Sequence, residues 1–260
     1  MKDRKQQENQ GEGYGSISVS SSPFLRWLDN FWYHYKWPTI GIAFAVIVIL
    51  VCTLQTCSRE SQDVKMIYAG PVALRSEQIT GIDQLLDQTV PEDFDGDGEK
   101  NAMLLRHTVF SKEQIQEIQK RNEQEILEKG EEATEIYINT QFNSQEYESL
   151  YREISGGAAA ICLLDPWLYE ELKPSEKAEQ DKKAYLRKLY GDEDSFFSEP
   201  IEGLLEDGYG VRLGETELYR KYKVLQALPE DTVICLVSRL LTQTEQMYTQ
   251  SEDMFRAMVG

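Results

Sequence analysis

The feature that most constrains this chain is an uncharged apolar stretch, WPTIGIAFAVIVILVCTLQTC, at residues 37–57. Its centre, residues 40–54, is almost entirely aliphatic. About 20 residues of α-helix cross the roughly 30 Å hydrocarbon core of a bilayer, and a helix pairs every backbone polar group inside lipid. We therefore predict one transmembrane helix over residues 37–57, in a single-pass protein of the cell membrane.

Residues 1–36 are predicted to form a cytoplasmic tail that ends in an amphipathic helix. Ser22 followed by Pro23 is typical of a helix start, and large apolar residues then recur at helical spacing as far as Tyr35. Trp27, Trp32 and neighbouring aromatics suit the headgroup depth of a membrane. We expect this helix to lie in the interface and to continue into the span. The alternative is that these apolar and aromatic residues bind a partner protein.

A cleaved signal peptide is the competing interpretation of the apolar stretch. Its leader would have to include all of residues 1–36, which is long for that class. The segment ending at Cys57 resembles a lipoprotein cleavage box, but Gln55 and Thr56 are too large for one. Basic residues on the two flanks nearly balance, so the positive-inside rule barely decides the orientation. We expect a cytoplasmic N-terminus, because a short tail before an uncharged span behaves as a signal anchor.

The charge of the chain lies almost wholly after the span. The full sequence has a net charge of −18, and residues 1–57 carry five basic and four acidic side chains. The remaining 22 basic and 41 acidic side chains give residues 58–260 a net charge of −19. Binding to phosphates needs clustered lysine and arginine, so this composition excludes nucleic acid and anionic lipid as favoured partners of the domain.

Predicted strands and helices alternate through the residues after the span. Continuous apolar runs of strand length are typical of a parallel sheet that is covered on both faces. We predict an α/β domain over residues 58–260, with a mostly parallel sheet covered by helices. The predicted strands are 64–69, 102–110, 135–140, 158–164, 209–213 and 232–237. The predicted helices are 76–90, 145–154, 176–190 and 244–258, with others opening at Ser111, in an S-x-x-Q capping box, and at Asp165.

The sharpest chemical motif is DFDGDGEKN at residues 93–101. Aspartates at alternate positions converge on one hard cation, and the following glycine permits a sharp turn, as at the start of an EF-hand loop. Leu104 stands where that loop needs its bidentate glutamate, so a carboxylate from elsewhere would have to close the site. We expect a structural calcium site, and an acidic surface turn is the alternative. The predicted metal ligands are Asp93, Asp95, Asp97, Glu99 and Asn101.

Signatures of catalysis are missing from the sequence. It has two histidines, His34 and His107, and no H-E-x-x-H, G-x-S-x-G or P-loop motif. We therefore predict that the protein is not an enzyme, and that His107 has a structural role on its strand. Cys162 and Cys235 lie in apolar runs and are expected to be buried. A disulfide between them requires that their two strands be neighbours.

Several segments in order resemble a known family. They are VKMIYAGP, the DFDGDG loop, INTQFNSQEYESLYREISGGAAAICLLDPWLYEEL and LPEDTVICLVSR. Together they resemble the bacterial extracellular solute-binding proteins of the type II periplasmic-binding fold, over roughly residues 64–258. This resemblance implies a two-lobed α/β domain with a ligand cleft. The chain is shorter than that family, keeps its predicted anchor and lacks an obvious set of ligand-facing Trp or Arg residues.

The expected function is that of a membrane-anchored extracytoplasmic binding or accessory module, similar to a reduced solute-binding protein. Its partners would be the membrane and either a small-molecule ligand or another envelope protein. Ligand sites of open α/β sheets lie at the ends of strands. The candidate ligand-binding residues are therefore Tyr68, Asp165 and Trp167, although Asp165 also suits a plain helix N-cap. The alternative is a structural or protein-interaction domain of the envelope that has no small-molecule ligand.

Overall fold

The computed structural model describes residues 23–57, 62–174 and 185–260. The chain divides into two units, Met1–Glu60 and Ser61–Gly260. The predicted tail before Pro23, the junction at residues 58–61 and the first part of the helix predicted at 176–190 lie outside the described residues.

The first unit contains one long helix, α1 (Pro23–Cys57), which begins at the predicted Ser22-Pro23 start and includes Pro38. Its segment Tyr35–Thr53 has a mean hydropathy of 2.0 and is not buried by the chain. This helix is long and apolar enough to cross a membrane by length and composition. A signal sequence meets the same two criteria, so this is weak evidence for a span.

The second unit is built on a five-stranded sheet of order β2-β1-β3-β5-β4. Strand β1 pairs in parallel with β2 and β3, whereas β5 pairs antiparallel with β3 and β4. The prediction of a mostly parallel sheet is thus confirmed in part, because four strands share one direction and β5 reverses between two of them. The strands are β1 (Val64–Gly70), β2 (Ala102–Thr108), β3 (Ile161–Leu164), β4 (Gly210–Arg212) and β5 (Val233–Leu236).

Helices cover both faces of this sheet. They are α2 (Ser76–Thr89), α3 (Lys112–Lys129), α4 (Thr140–Gly156), α5 (Pro166–Leu172), α6 (Glu217–Lys221) and α7 (Glu245–Val259). Short 3-10 turns lie at Gly130–Glu132, Leu213–Glu215 and Lys223–Ala227. Side chains alternate across the strands: Met66 and Tyr68 of β1 pack with α2 and α7, while Ile67 and Ala69 pack with α4 and α5. Each large apolar side chain buried this way contributes roughly 1.5–3 kcal/mol of stability.

The sequence explains where several helices begin and end. Ser111 and Gln114 form the predicted capping box at the start of α3. Helix α4 is capped by Asn139, a few residues before the predicted start, and ends at Gly157 in the left-handed conformation with φ 73°. Such a positive φ favours glycine, because a Cβ is strained there. Asp165 caps α5, with Pro166 in the first turn.

His107 of β2 is buried and joins its strand to α4. Its Nδ1 lies 3.1 Å from Glu146 Oε2, and its Nε2 lies 2.9 Å from Glu153 Oε2. The two glutamates are seven residues apart and therefore project from the same face of the helix. The imidazole thus bridges two layers of the fold.

Two predicted elements differ from the structure. The strand predicted at 135–140 is wrong: residues 133–139 have no regular secondary structure and lie outside the sheet, and α4 begins at Thr140. The Asn122 side chain bonds both backbone groups of Ile136, at 2.8 and 3.1 Å, in place of a neighbouring strand. The described part of the helix predicted at 176–190 is not helical, since Leu186 forms an antiparallel bridge with Val237 beside β5.

Candidate functional site

The candidate site lies where the carboxyl ends of β1 and β3 meet. From β1 the chain passes to β2 on one side of it, and later returns to β3 on the other side. Open α/β sheets bind ligands at such a reversal of strand order. Here the Ala69 carbonyl accepts from the Asp165 amide at 2.8 Å, and the Gly70 carbonyl accepts from the Val109 amide at 3.0 Å. These bonds bring the segments after β1, β2 and β3 to one edge.

Asp165 stands at the centre of this edge and is half-buried. Its Oδ1 accepts from the Trp167 amide at 3.2 Å, and its Oδ2 accepts from Gln114 Nε2 at 3.3 Å. Burial raises the pKa of the Asp165 carboxyl, and the charge of Asp231 raises it further, although the two hydrogen bonds act in the opposite direction. Asp165 therefore positions α3 and α5 as well as placing a carboxyl group at the candidate site.

Tyr68 lies beneath the same edge and is only 2% exposed. Its ring covers Gly70, where an added Cβ would come within 2.9 Å of the tyrosine oxygen. Burial raises the pKa of the Tyr68 hydroxyl to about 12, and Asp165 and Asp231 add to the rise. The nearby Val72 backbone lowers this pKa in part, but it forms no hydrogen bond of normal geometry with the Tyr68 hydroxyl. The phenol is therefore neutral and has an unused donor.

Trp167 lines a depression of about 590 Å³ at this edge. Its ring stacks on Tyr147, with centroids 6.0 Å apart and planes 9° from parallel. The Tyr147 hydroxyl donates to Glu171 Oε2 at 2.7 Å, and the Tyr151 hydroxyl donates to the same oxygen at 3.4 Å. Phe110 forms another part of the wall and also lines a second depression of about 580 Å³ beside it, next to Gln114.

Tyr68 and Trp167 each have a buried polar atom that lacks a hydrogen bond within the described residues. Within residues 23–57, 62–174 and 185–260, the Tyr68 hydroxyl and the Trp167 indole nitrogen are the buried side-chain polar atoms that have no hydrogen-bond partner. An unpaired buried polar group costs about 1–3 kcal/mol, so folded proteins rarely leave one without a reason. Both atoms belong to residues that the sequence singled out for ligand binding. The sequence could not have identified the missing partners.

The acidic loop forms a second candidate site. Carboxylate oxygens of Asp63, Asp93 and Asp95 lie within 4.8 Å of one another, and the three together could hold a metal ion. Asp93 and Asp95 were predicted, and Asp63 supplies the carboxylate from elsewhere that the incomplete loop requires. Asp97 and Glu99 lie outside this cluster.

Asp63 was missed because it lies about thirty residues before the loop in the sequence. The parallel register pairs Val64 with Ala102, so Asp63 comes to lie beside Asn101. Its Oδ1 accepts from the amides of Phe94 and Asp95 at 2.7 and 3.1 Å, and its Oδ2 accepts from the Asn101 amide at 3.0 Å. A polar residue directly before a buried strand was the available signal. Asn101 also bonds Asp63 in the opposite direction: its side-chain Oδ1 accepts a hydrogen bond from the Asp63 amide at 3.0 Å.

Comparisons with known proteins add no family to this description. No protein-family model, curated protein or solved structure matches the chain. The geometry of the two sites and the apolar helix are therefore the features from which a function can be inferred.

Proposed function

We propose that this protein is a single-pass, membrane-anchored binding module that holds a small molecule at the carboxyl edge of β1 and β3. The observation that carries the proposal is the pair of unpaired buried polar atoms on Tyr68 and Trp167. Tyr68 and Trp167 pack into cores on opposite faces of the sheet, so a ligand at the strand ends that supplied a hydrogen bond to either atom would recover the cost of leaving that bond unmade. The half-buried carboxyl of Asp165 lies at the same edge and adds a polar group for orientation.

The proposed module is a reduced form of a solute-binding protein. That family resemblance implies two lobes, whereas the described residues of Ser61–Gly260 form one sheet. A single lobe would hold its ligand in an open depression at the sheet edge instead of enclosing it between two domains. Less ligand surface would be buried, so we expect a weaker complex than an enclosed cleft would form.

The proposed location places the Ser61–Gly260 unit outside the cytoplasm, with α1 as an uncleaved anchor. The length and hydropathy of Tyr35–Thr53 support the anchor. The test is the full chain with alkaline phosphatase fused to its C-terminus, expressed in bacteria. Retention in carbonate-washed membranes at full mass, with an active phosphatase, is the expected result. Release from the membrane, a mass loss of the leader or an inactive phosphatase would overturn this arrangement.

We further propose that the acidic loop binds calcium as a structural ion. Aspartate oxygens are the hard ligands that calcium prefers, and Asp63 closes the loop where Leu104 cannot. Extracellular modules bind calcium with dissociation constants of roughly 10⁻⁴–10⁻³ M, which suits the proposed location.

A ligand screen on the full chain in nanodiscs tests the binding proposal. A library of bacterial metabolites is scanned for compounds that raise the melting temperature, and each compound found is repeated on Tyr68→Phe. The proposal expects at least one stabilising compound whose effect decreases in the variant. A library without a stabilising compound, or an effect that Tyr68→Phe leaves unchanged, would overturn it.

A protein-interaction domain is the second candidate, and the exposed surface around α3 favours it. Helix α3 has no buried residue, and Leu127 near its end is 86% exposed. Tyr137, in the irregular segment between α3 and α4, is 87% exposed. Tyr137 and Ile136 line one depression together with Ile115 and Ile118 of α3, and apolar side chains grouped in this way at the surface often mark protein contacts. Substituting Leu127 and Tyr137 with serine should leave the ligand screen unchanged but abolish binding to a partner, if this second function is present.

A further inference from the structure

The depression beside Trp167 has walls of opposite character. One wall consists of the stacked rings of Trp167 and Tyr147. The ring of Tyr151 does not line the depression but supports that of Tyr147, with 4.8 Å between the two centroids. Phe110 contributes another ring to the lining. The face of an aromatic ring carries partial negative charge and attracts weakly hydrated cations.

The charged side chains around these rings are mainly acidic. Glu113, Glu148 and Glu171 line the depression, against a single basic residue, Lys112. Residues 58–260 as a whole, these four included, have a net charge of −19. A low-dielectric wall beside carboxylates concentrates cations, and it disfavours anions by the same field.

Glu171 is held in place by the aromatic wall itself. Its Oε2 accepts from the hydroxyls of Tyr147 and Tyr151. Burial raises the pKa of the Tyr147 hydroxyl, and its bond to Glu171 acts in the same direction, so this hydroxyl stays a neutral donor. The rings and one carboxylate therefore form a single fixed unit on the depression wall.

We infer that the ligand of this depression is a small organic cation with an alkylated ammonium group. This inference rests on the proposed function and specifies its ligand class. An alkylated ammonium is weakly hydrated, so it gains from ring faces and from carboxylates together. A neutral isostere of the same shape keeps the apolar contact but loses both electrostatic contributions. The unpaired indole N–H of Trp167 favours a ligand that also carries an acceptor oxygen.

The test measures binding of choline to the full chain in nanodiscs of phosphatidylglycerol by isothermal titration calorimetry. The neutral isostere 3,3-dimethylbutan-1-ol is titrated in parallel. Choline is expected to bind at least about tenfold more tightly than the alcohol, a difference of about 1.4 kcal/mol. A second arm uses nanodiscs of phosphatidylcholine. Weaker apparent choline affinity there would identify the lipid headgroup as a source of the same ammonium group, and unchanged affinity would identify the free compound.

Two matched variants locate the charge effect. Glu148→Gln removes a carboxylate from the depression beside Trp167. Glu117→Gln makes the same change in net charge in the second depression, next to Gln114. We expect Glu148→Gln to weaken choline binding several-fold and to leave the alcohol unaffected, and Glu117→Gln to change neither. Equal binding of choline and the alcohol, or equal effects of the two variants, would overturn the inference.

The result separates this inference from the proposed function. A stabilising neutral or anionic compound in the metabolite screen, with no binding of choline at millimolar concentration, would overturn the cation inference and leave the binding function standing. If neither choline nor any library compound binds, both proposals fail.

Discussion

Replacing Tyr68 with phenylalanine should not destabilise the protein, although the residue is almost completely buried. Tyr169 provides the matched comparison, because both tyrosines are 2% exposed. The Tyr68 hydroxyl has no hydrogen-bond partner among the residues that the structure describes, whereas the Tyr169 hydroxyl donates to Asp207 Oδ1 at 2.5 Å. Each substitution removes one oxygen atom and keeps the ring, so the difference between the variants isolates the hydrogen bond.

The expected magnitudes follow from the cost of unmade and broken hydrogen bonds. Tyr68→Phe removes a buried unpaired group and should raise the free energy of unfolding by about 1 kcal/mol. Tyr169→Phe breaks a bond to a carboxylate and should lower it by about 1.5–3 kcal/mol. Asp207 keeps its contacts with Lys173 and the Tyr209 amide, which places the expected loss at the lower end. For a unit of this size, 1 kcal/mol shifts the melting temperature by about 2–4 °C.

Thermal and urea unfolding of the full chain in nanodiscs, followed by near-ultraviolet circular dichroism, measures both variants. Tyr68→Phe should melt at or slightly above the wild-type temperature, and Tyr169→Phe several degrees below it. If Tyr68→Phe loses as much stability as Tyr169→Phe, the hydroxyl of Tyr68 has a structural hydrogen bond. The Tyr68 hydroxyl would then not be available to a ligand.

Further outcomes concern the loop, the strand end and the thiols. Calcium at a hundred times its dissociation constant should add about 2.7 kcal/mol of stability, which Asp95→Asn should abolish in a thermal scan; no shift at about 100 mM calcium, a hundred times the weakest dissociation constant expected, would identify an acidic turn. Asp165→Asn keeps the helix cap and should raise the neutral-pH stability in a urea titration. Burial raises the folded-state pKa of Asp165, so the stability that the protonated carboxyl contributes is present in acid and is lost as pH rises through that pKa. The free energies of unfolding of the wild type and the variant should therefore converge in acid. A constant difference between them at every pH would contradict this. Burial raises the pKa of Cys162 to about 12 and also that of Cys235, so neither thiol should react with a disulfide reagent before urea unfolds the protein, and rapid native labelling would contradict their burial.

Local chemistry made much of the fold predictable. Continuous apolar runs located β1, β3 and β5, because strands covered on both faces need apolar residues at every position. Ser111 and Gly157 marked a helix start and a helix end through capping geometry. Those features depend on neighbours in sequence, so the sequence is sufficient to find them.

Features that depend on distant neighbours were not predictable. The apolar alternation around Ile136 is typical of a strand, but in the described part of the chain no strand lies beside it, and the Asn122 side chain bonds its backbone groups instead. The reversed direction of β5 depends on its insertion between β3 and β4. The pairing of β3 with β5 places Cys162 directly opposite Cys235, and both are free thiols. The sequence alone did not show whether these two strands are neighbours.

The candidate sites show the same limit. The sequence indicated Asp93 and Asp95, but only the pairing of β1 with β2 brings Asp63 to them. It also indicated Tyr68, Asp165 and Trp167 as residues at strand ends. That two of these side chains have buried polar atoms without partners depends on packing from several helices, and sequence spacing does not determine it.

The most direct measurement of the binding function uses the emission of Trp167 itself. The other three tryptophans, Trp27, Trp32 and Trp37, all lie in α1 and can be replaced by phenylalanine. A compound from the metabolite screen is then titrated into this single-tryptophan chain in nanodiscs. A saturable change in the emission of Trp167 is expected, with the same dissociation constant that calorimetry of the same compound gives. A compound that stabilises the protein but leaves the emission of Trp167 unchanged would contradict a site at this edge of the sheet.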